Sequence, residues 1–348
     1  GSPPLWRSAY DPPAGPRSAE HKIRVAFAPR GEGGAVGFSD DTLYLSFYRL
    51  VFGLAPGDLS PRFAYQHPSD VVGARAIDGG VVVADAGGGV SFVGTDGRPR
   101  WSVDTGKEPT VVALRLGAFR PQGSPEGEAS LLAEQLLSVA QSTDARLVPG
   151  RAFAVSAMAG LEDEAVTGHL IVLCDDRSMP EAIWQAGCAA LGQRTSGAAS
   201  VLAALRRHAS FLEDTVAPAV GPLATVAARL ELRDAVPLLV GHLSDPGTRA
   251  EDVPALAEAL ASFEDQSAAR PLRDFLWLYH AEGEEALQAG LVAGARALMA
   301  LSGPAGRDDV QEVIDAPFTA AGVRAQLAEV VQAQAAQEQQ AEAAQETE

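Results

Sequence analysis

The spacing of apolar residues changes once along this chain, and that change sets what it can fold into. From Lys22 to about Leu116 they alternate, as in Ile23, Val25, Phe27, then Leu43, Leu45, Phe47, then Val81, Val83, then Val90, Phe92. Period two belongs to strands, whose successive side chains face opposite sides. Gly and Asp clusters at Gly31 to Gly34, Asp78-Gly79-Gly80, Gly87-Gly88-Gly89 and Asp96-Gly97 separate these runs and supply the positive φ that tight hairpins demand. After Gly123-Ser124-Pro125 the spacing becomes i, i+3, i+4, i+7, as in Leu223, Val226, Ala227, Leu230, then Val236, Leu239, Val240, Leu243, then Val253, Leu256, Ala257, Leu260, then Leu272, Phe275, Leu276, Tyr279. Each set is one apolar stripe on one short helix. The expected class is multidomain α+β, with an antiparallel β part over 22–120 and a helical part over 127–316. At 348 residues the chain is long enough for two cores.

Laid over one another, the helical segments repeat: an Ala-rich helix ending in a large apolar residue, a few polar residues, then a second helix. The junction anchors Leu161, Leu191, Leu230, Phe263 and Leu301 are 30, 39, 33 and 38 residues apart, in the range of helical-hairpin solenoids. A buried Leu stabilises by about 1.5–3 kcal/mol and ordering one residue's backbone costs about 1–2 kcal/mol, so a single hairpin cannot stand alone and neighbours must stack. Pro149, Pro180, Pro222 and Pro254 fall at or near helix starts, where a missing N–H costs nothing.

These residues resemble the HEAT-repeat family. The best match is Leu243 to Arg249 running into Val253 to Leu260, where Asp245 and Arg249 occupy the family's turn Asp and following Arg. Ala250-Glu251-Asp252 looks like a small insertion, and the Asp-Arg pair is not repeated in every copy. In the β part, Asp78 to Gly106 resembles one blade of a pyrroloquinoline-quinone-type β-propeller, closed by Trp101; a weaker copy before it closes with Phe63. A large flat closer fills the wedge between twisted sheets. Pro4-Leu5-Trp6 reads as the last strand of an incomplete blade, or 1–21 as a linker. Two to two and a half blades cannot close a propeller. The chain is then a fragment, or the sheet packs on the rest of the chain, or another chain, a second copy included, covers its edges. The resemblance does not carry over the family's quinone, so no cofactor is expected.

The chain carries a formal charge of −18, which repels phosphate backbones and argues against nucleic acid as a partner. Runs such as Leu170 to Cys174 are too short for a transmembrane span. The start Gly1-Ser2-Pro3, without Met, reads as a trimmed end, at which any signal peptide or lipid anchor would have been lost. Residues 326–348, without large apolar side chains after Val331, read as a disordered acidic tail of Ala, Gln and Glu. Cys174 and Cys188 each sit in an apolar helical pattern and read as small core residues, with a bridge between them as the alternative in an oxidising compartment.

No catalytic constellation stands out. His21, His67, His169, His208, His242 and His280 form no H-E-x-x-H or i, i+4 pair; the last three fall on different faces when the repeats are aligned, which predicts no shared metal site. The glycine clusters lack the helix, Lys and Ser/Thr of a phosphate loop. The informative excess is Phe275 to Tyr279, where large apolar residues occupy more sides of a helix than one core stripe needs. Either the helix is buried on two sides, or it presents anchors to a partner. Trp277, Tyr279 and His280, with Arg249, are the expected partner-binding residues. The reading is a non-enzymatic scaffold binding another, basic or mixed-charge protein along an acidic solenoid, periplasmic or associated with the outer membrane; cytoplasmic is the alternative location. A cofactor- or small-molecule-binding enzyme with its site between the two parts is the alternative function.

Overall fold

A computed structural model describes residues 23–26, 42–77, 79–105, 128–208 and 217–345. The expected opening segment 1–21, the turn Gly31 to Gly34 and the linker at Gly123-Ser124-Pro125 lie outside them. The fold is α+β, antiparallel sheets followed by helices, and the chain divides into two compact units, 1–154 and 155–348.

The first unit holds two four-stranded antiparallel meanders. One runs β1 (Ile23–Ala26), β2 (Leu43–Phe47), β3 (Leu50–Leu54), β4 (Pro61–Gln66); the other runs β5 (Val71–Ile77), β6 (Gly80–Asp85), β7 (Gly89–Gly94), β8 (Pro99–Asp104). Alternation delivers Tyr44, Val51 and Phe63 of the first sheet and Val71, Ala76, Val81, Val83 and Val93 of the second into one buried cluster. The turn glycines behave as their sequence demands, with φ of +79° at Gly79, +97° at Gly88 and +75° at Gly97. Both expected closers end their sheets, on β4 and β8. Phe63 is buried between the sheets, whereas Trp101 stacks on Phe92 and stays 41% exposed.

The helical pattern begins inside this unit. α1 (Glu128–Ala140) packs on β4, and Gln135 holds it there, accepting the Ala64 N–H (3.0 Å) and donating to the Asp96 carbonyl (2.8 Å). Phe153 of α2 (Val148–Ala157) meets Phe52 edge-on, ring centroids 5.0 Å apart. Residues 128–154 thus belong to the β unit's core, although their 3.6 period matches the helices that follow.

The second unit contains α3 (Glu164–Asp175), α4 (Glu181–Gly192), α5 (Ala198–Leu205), α6 (Val220–Arg229), α7 (Val236–Leu243), α8 (Val253–Ser262), α9 (Ala269–Tyr279), α10 (Glu285–Ser302), α11 (Pro304–Asp315) and α12 (Ala321–Gln345). Helices two apart pack together: α4, α6, α8, α10 and α12 form one row, while α3 meets α5, α7 meets α9 and α9 meets α11. The anchors Leu191, Phe263 and Leu301 are buried at their junctions, with Leu161 and Leu230 half-buried. Pro149, Pro180, Pro222 and Pro254 all sit at helix caps or first turns. In α3, Leu170, Ile171 and Leu173 are buried and only Val172 of that run points outward, 66% exposed.

Two expectations give way here. The tail expected to be disordered over 326–348 is helical as far as Gln345: it belongs to α12, whose start is anchored by Val323, Leu327 and Val330, a stripe buried where α12 meets α10 and α11, and 346–348 lie outside the described residues. Cys174 and Cys188 are a disulfide, not two separate core residues: α3 folds back on α4 and brings their Cα atoms to 4.9 Å.

Candidate functional site

The surplus of large apolar residues on α9 resolves into two faces. Leu272, Phe275 and Leu276 are buried, and Tyr279 is half-buried against Phe275 with centroids 5.1 Å apart, so Tyr279 completes the core stripe. Arg270, Arg273, Asp274, Trp277 and Leu278 follow i, i+3, i+4, i+7, i+8 on another face and line a shallow depression, with Leu278 65% exposed. Trp277 packs edge-on to His280, centroids 5.4 Å apart, and His280 Nδ1 lies 2.7 Å from the Trp277 carbonyl. The Ala320 N–H donates to the His280 carbonyl (3.0 Å), which brings the α11–α12 connection and its exposed Phe318 to this end of α9. Arg273 reaches Asp309 (3.3 Å) and Glu312 (3.7 Å) on α11. Such exposed pairs contribute about 0–1 kcal/mol, and the apolar part of this face is Trp277 and Leu278. Of the expected partner-binding residues, Trp277, Tyr279 and His280 come together; Arg249 stands apart in the α7–α8 connection, 3.9 Å from Glu251.

A second concavity lies between α8, α10 and α12. Its floor is apolar, with Pro254, Val292, Ala293 and Val330. Its rim carries Glu258, Glu285 and Glu329 against the single Arg296, all exposed. The sequence signal for it is the α10 stripe Glu285, Ala289, Val292, Arg296, which becomes legible as one wall only once the neighbours of α10 are known.

The histidines are not dispersed as expected. His208 and His242 stack with centroids 4.4 Å apart and planes 24° from parallel, and His208 Nδ1 lies 2.8 Å from Asp245 Oδ2. His242 Nε2 lies 2.8 Å from the Leu205 carbonyl, which can only accept, so Nε2 carries the proton. Burial pushes the His242 imidazole below the ordinary histidine range and keeps the ring neutral. The two histidines are 34 positions apart, and nothing in the sequence local to either one marks the other as its neighbour.

The chain matches no protein-family model and no curated protein sequence.

Proposed function

We propose that this chain is a scaffold that holds another protein, and that its helical unit does the holding. The observation that carries this reading is the groove between α8, α10 and α12, whose apolar floor is rimmed by three carboxylates and one guanidinium. A floor of this kind accepts an apolar anchor, and the rim selects a basic segment around it. The Trp277–Leu278 face of α9 supplies a second contact of the hot-spot type. The alternate-row packing of the helices supports a HEAT-like solenoid, an architecture whose use is extended contact surfaces. The four-stranded meanders are compatible with propeller-like blades. The Cys174–Cys188 bridge supports an oxidising location such as the periplasm.

The test is a pull-down with the full chain, alongside a charge-reversed groove (E258K, E285K, E329K) and an altered α9 face (L278S). We expect one stoichiometric protein partner, released by raised salt and lost from the groove variant while its thermal melt is unchanged. Equal recovery by wild type and both variants, or no protein partner at all, would refute the scaffold reading.

A further inference from the structure

His242 Nδ1 is buried and has no hydrogen-bond partner. Its sister nitrogen already donates to the Leu205 carbonyl, so in the neutral ring Nδ1 is a bare lone pair held away from water. Leaving such an atom unmatched is unfavourable, because its hydration is lost and no hydrogen bond replaces it. It is also the arrangement of a metal-binding imidazole, in which one nitrogen is fixed by a backbone carbonyl and the other points at the ion.

Two further donors lie beside this ring. His208, His242 and Asp245 each offer one ligand atom, and these lie within 4.8 Å of one another. We propose that His208, His242 and Asp245 form a site for one zinc ion, completed by a water molecule.

Two imidazoles and a carboxylate are the borderline N/O donor set that zinc takes, and three protein ligands leave a fourth position to solvent. With bonds of about 2.0–2.1 Å, a tetrahedral site has edges of about 3.3 Å. The 2.8 Å separation of His208 Nδ1 and Asp245 Oδ2 opens slightly to reach that value, and the ion takes the place of the proton they share. The longer separations close by rotation of His208, which follows the end of α5 and is exposed. The other two ligands are held from behind, His242 by Leu205 and Asp245 by the Gly247 N–H at 2.8 Å. The competing account is a purely structural stack that ties α7 to the end of α5. It leaves His242 Nδ1 unexplained.

Equilibrium dialysis of the chelator-stripped full chain against zinc, with cobalt substitution as a spectroscopic check, separates the two accounts. We expect one zinc per chain, a tetrahedral cobalt spectrum, and a rise in melting temperature with zinc. H208A alters an exposed residue and D245N a turn residue, and both should leave the metal-free melt close to wild type. They should weaken zinc binding about 10- to 100-fold and abolish the zinc-dependent rise. H169A, at an exposed position on α3, should bind as wild type does. Zinc binding unchanged in H208A and D245N, or none in the wild type, overturns the proposal.

Discussion

Arg194 lies in the turn after α4 and is fully buried, yet no carboxylate hydrogen-bonds to it. Its guanidinium spends its N–H groups on the turn that precedes α3. Nη1 donates to the carbonyls of Met158 (3.0 Å), Ala159 (3.2 Å) and Leu161, and Nη2 to the Asp163 carbonyl (2.8 Å) and Ser196 Oγ (2.7 Å), while Nε donates to Thr167 Oγ1 (2.9 Å). Desolvation lowers its pKa, as expected of a cation surrounded by dipoles instead of water. Arg194→Met keeps most of the length and removes every donor, so four carbonyls lose a partner. Each carbonyl stranded in the interior costs about 1–3 kcal/mol. Leu161 and Asp163 are half-exposed and regain water, which brings the sum down to about 3–5 kcal/mol. Arg194→Lys retains charge and three donors but not the planar fork, and should lose about half as much. Urea unfolding followed by far-UV circular dichroism reads both. For a unit of this size the loss corresponds to a fall in melting temperature of about 6–20 °C. A midpoint for Arg194→Met within about 1 kcal/mol of wild type would show that the turn does not depend on these bonds.

Three further perturbations probe other joints. Reducing the Cys174–Cys188 bridge, whose cysteines are 14 residues apart, should cost about 3 kcal/mol in the chain-entropy account; identical urea midpoints with and without reductant would contradict the cross-link. His67 is buried beside Ser69 and Ser91, and desolvation lowers its pKa although Asp85 at 3.6 Å opposes the shift. Its contribution is therefore present above about pH 6.5 and is lost as pH falls through the depressed folded value, so the first unit should weaken under mild acid and H67Q should flatten that dependence. A wild-type profile no steeper than that of H67Q would sink the argument. Gln135→Ala frees the Ala64 N–H and the Asp96 carbonyl together; about 1–2 kcal/mol should be lost, and the Ala64 amide should exchange faster with solvent.

What the sequence displays depends on whether a residue's neighbours are local. The strands and their turns are legible because alternation and the glycines at 79, 88 and 97 are properties of a few adjacent residues. The same holds for the helix starts at Pro149, Pro180, Pro222 and Pro254. The unit boundary is not legible: an amphipathic helix shows that it has an apolar face, and nothing in the stripe of α1 states that β4 covers it. The start of α12 shows the converse case, since the stripe Val323, Leu327, Val330 is present in the sequence and is masked by the polar composition that follows. The roles of Arg194 and His242, and the choice between a bridge and two separate cysteines, are not settled by the sequence for a third reason. An arginine in a turn, a lone histidine and two cysteines 14 apart acquire their meaning from partners that only packing supplies.

Those polar contacts share a pattern that apolar stripes cannot provide. Arg194 reaches the carbonyls of 158–163, the Ala219 N–H donates to Asp175 (3.1 Å), His242 donates to the Leu205 carbonyl, and Gln266 donates to the Leu301 carbonyl. Each tie spans 31 to 44 residues, about one helical pair, and each ends on backbone at the edge of a helix. Alanine- and leucine-rich faces repeated along a row tolerate a shift of one turn, because the same kinds of side chain meet again. A shifted row would strand every one of these polar groups away from its carbonyl or amide, at a cost comparable to the whole stability of a domain. The stripes therefore account for the helices stacking at all, and these polar side chains, Arg194 and His242 fully buried, account for their stacking in one register, the condition for a groove formed by three separate helices to keep its shape.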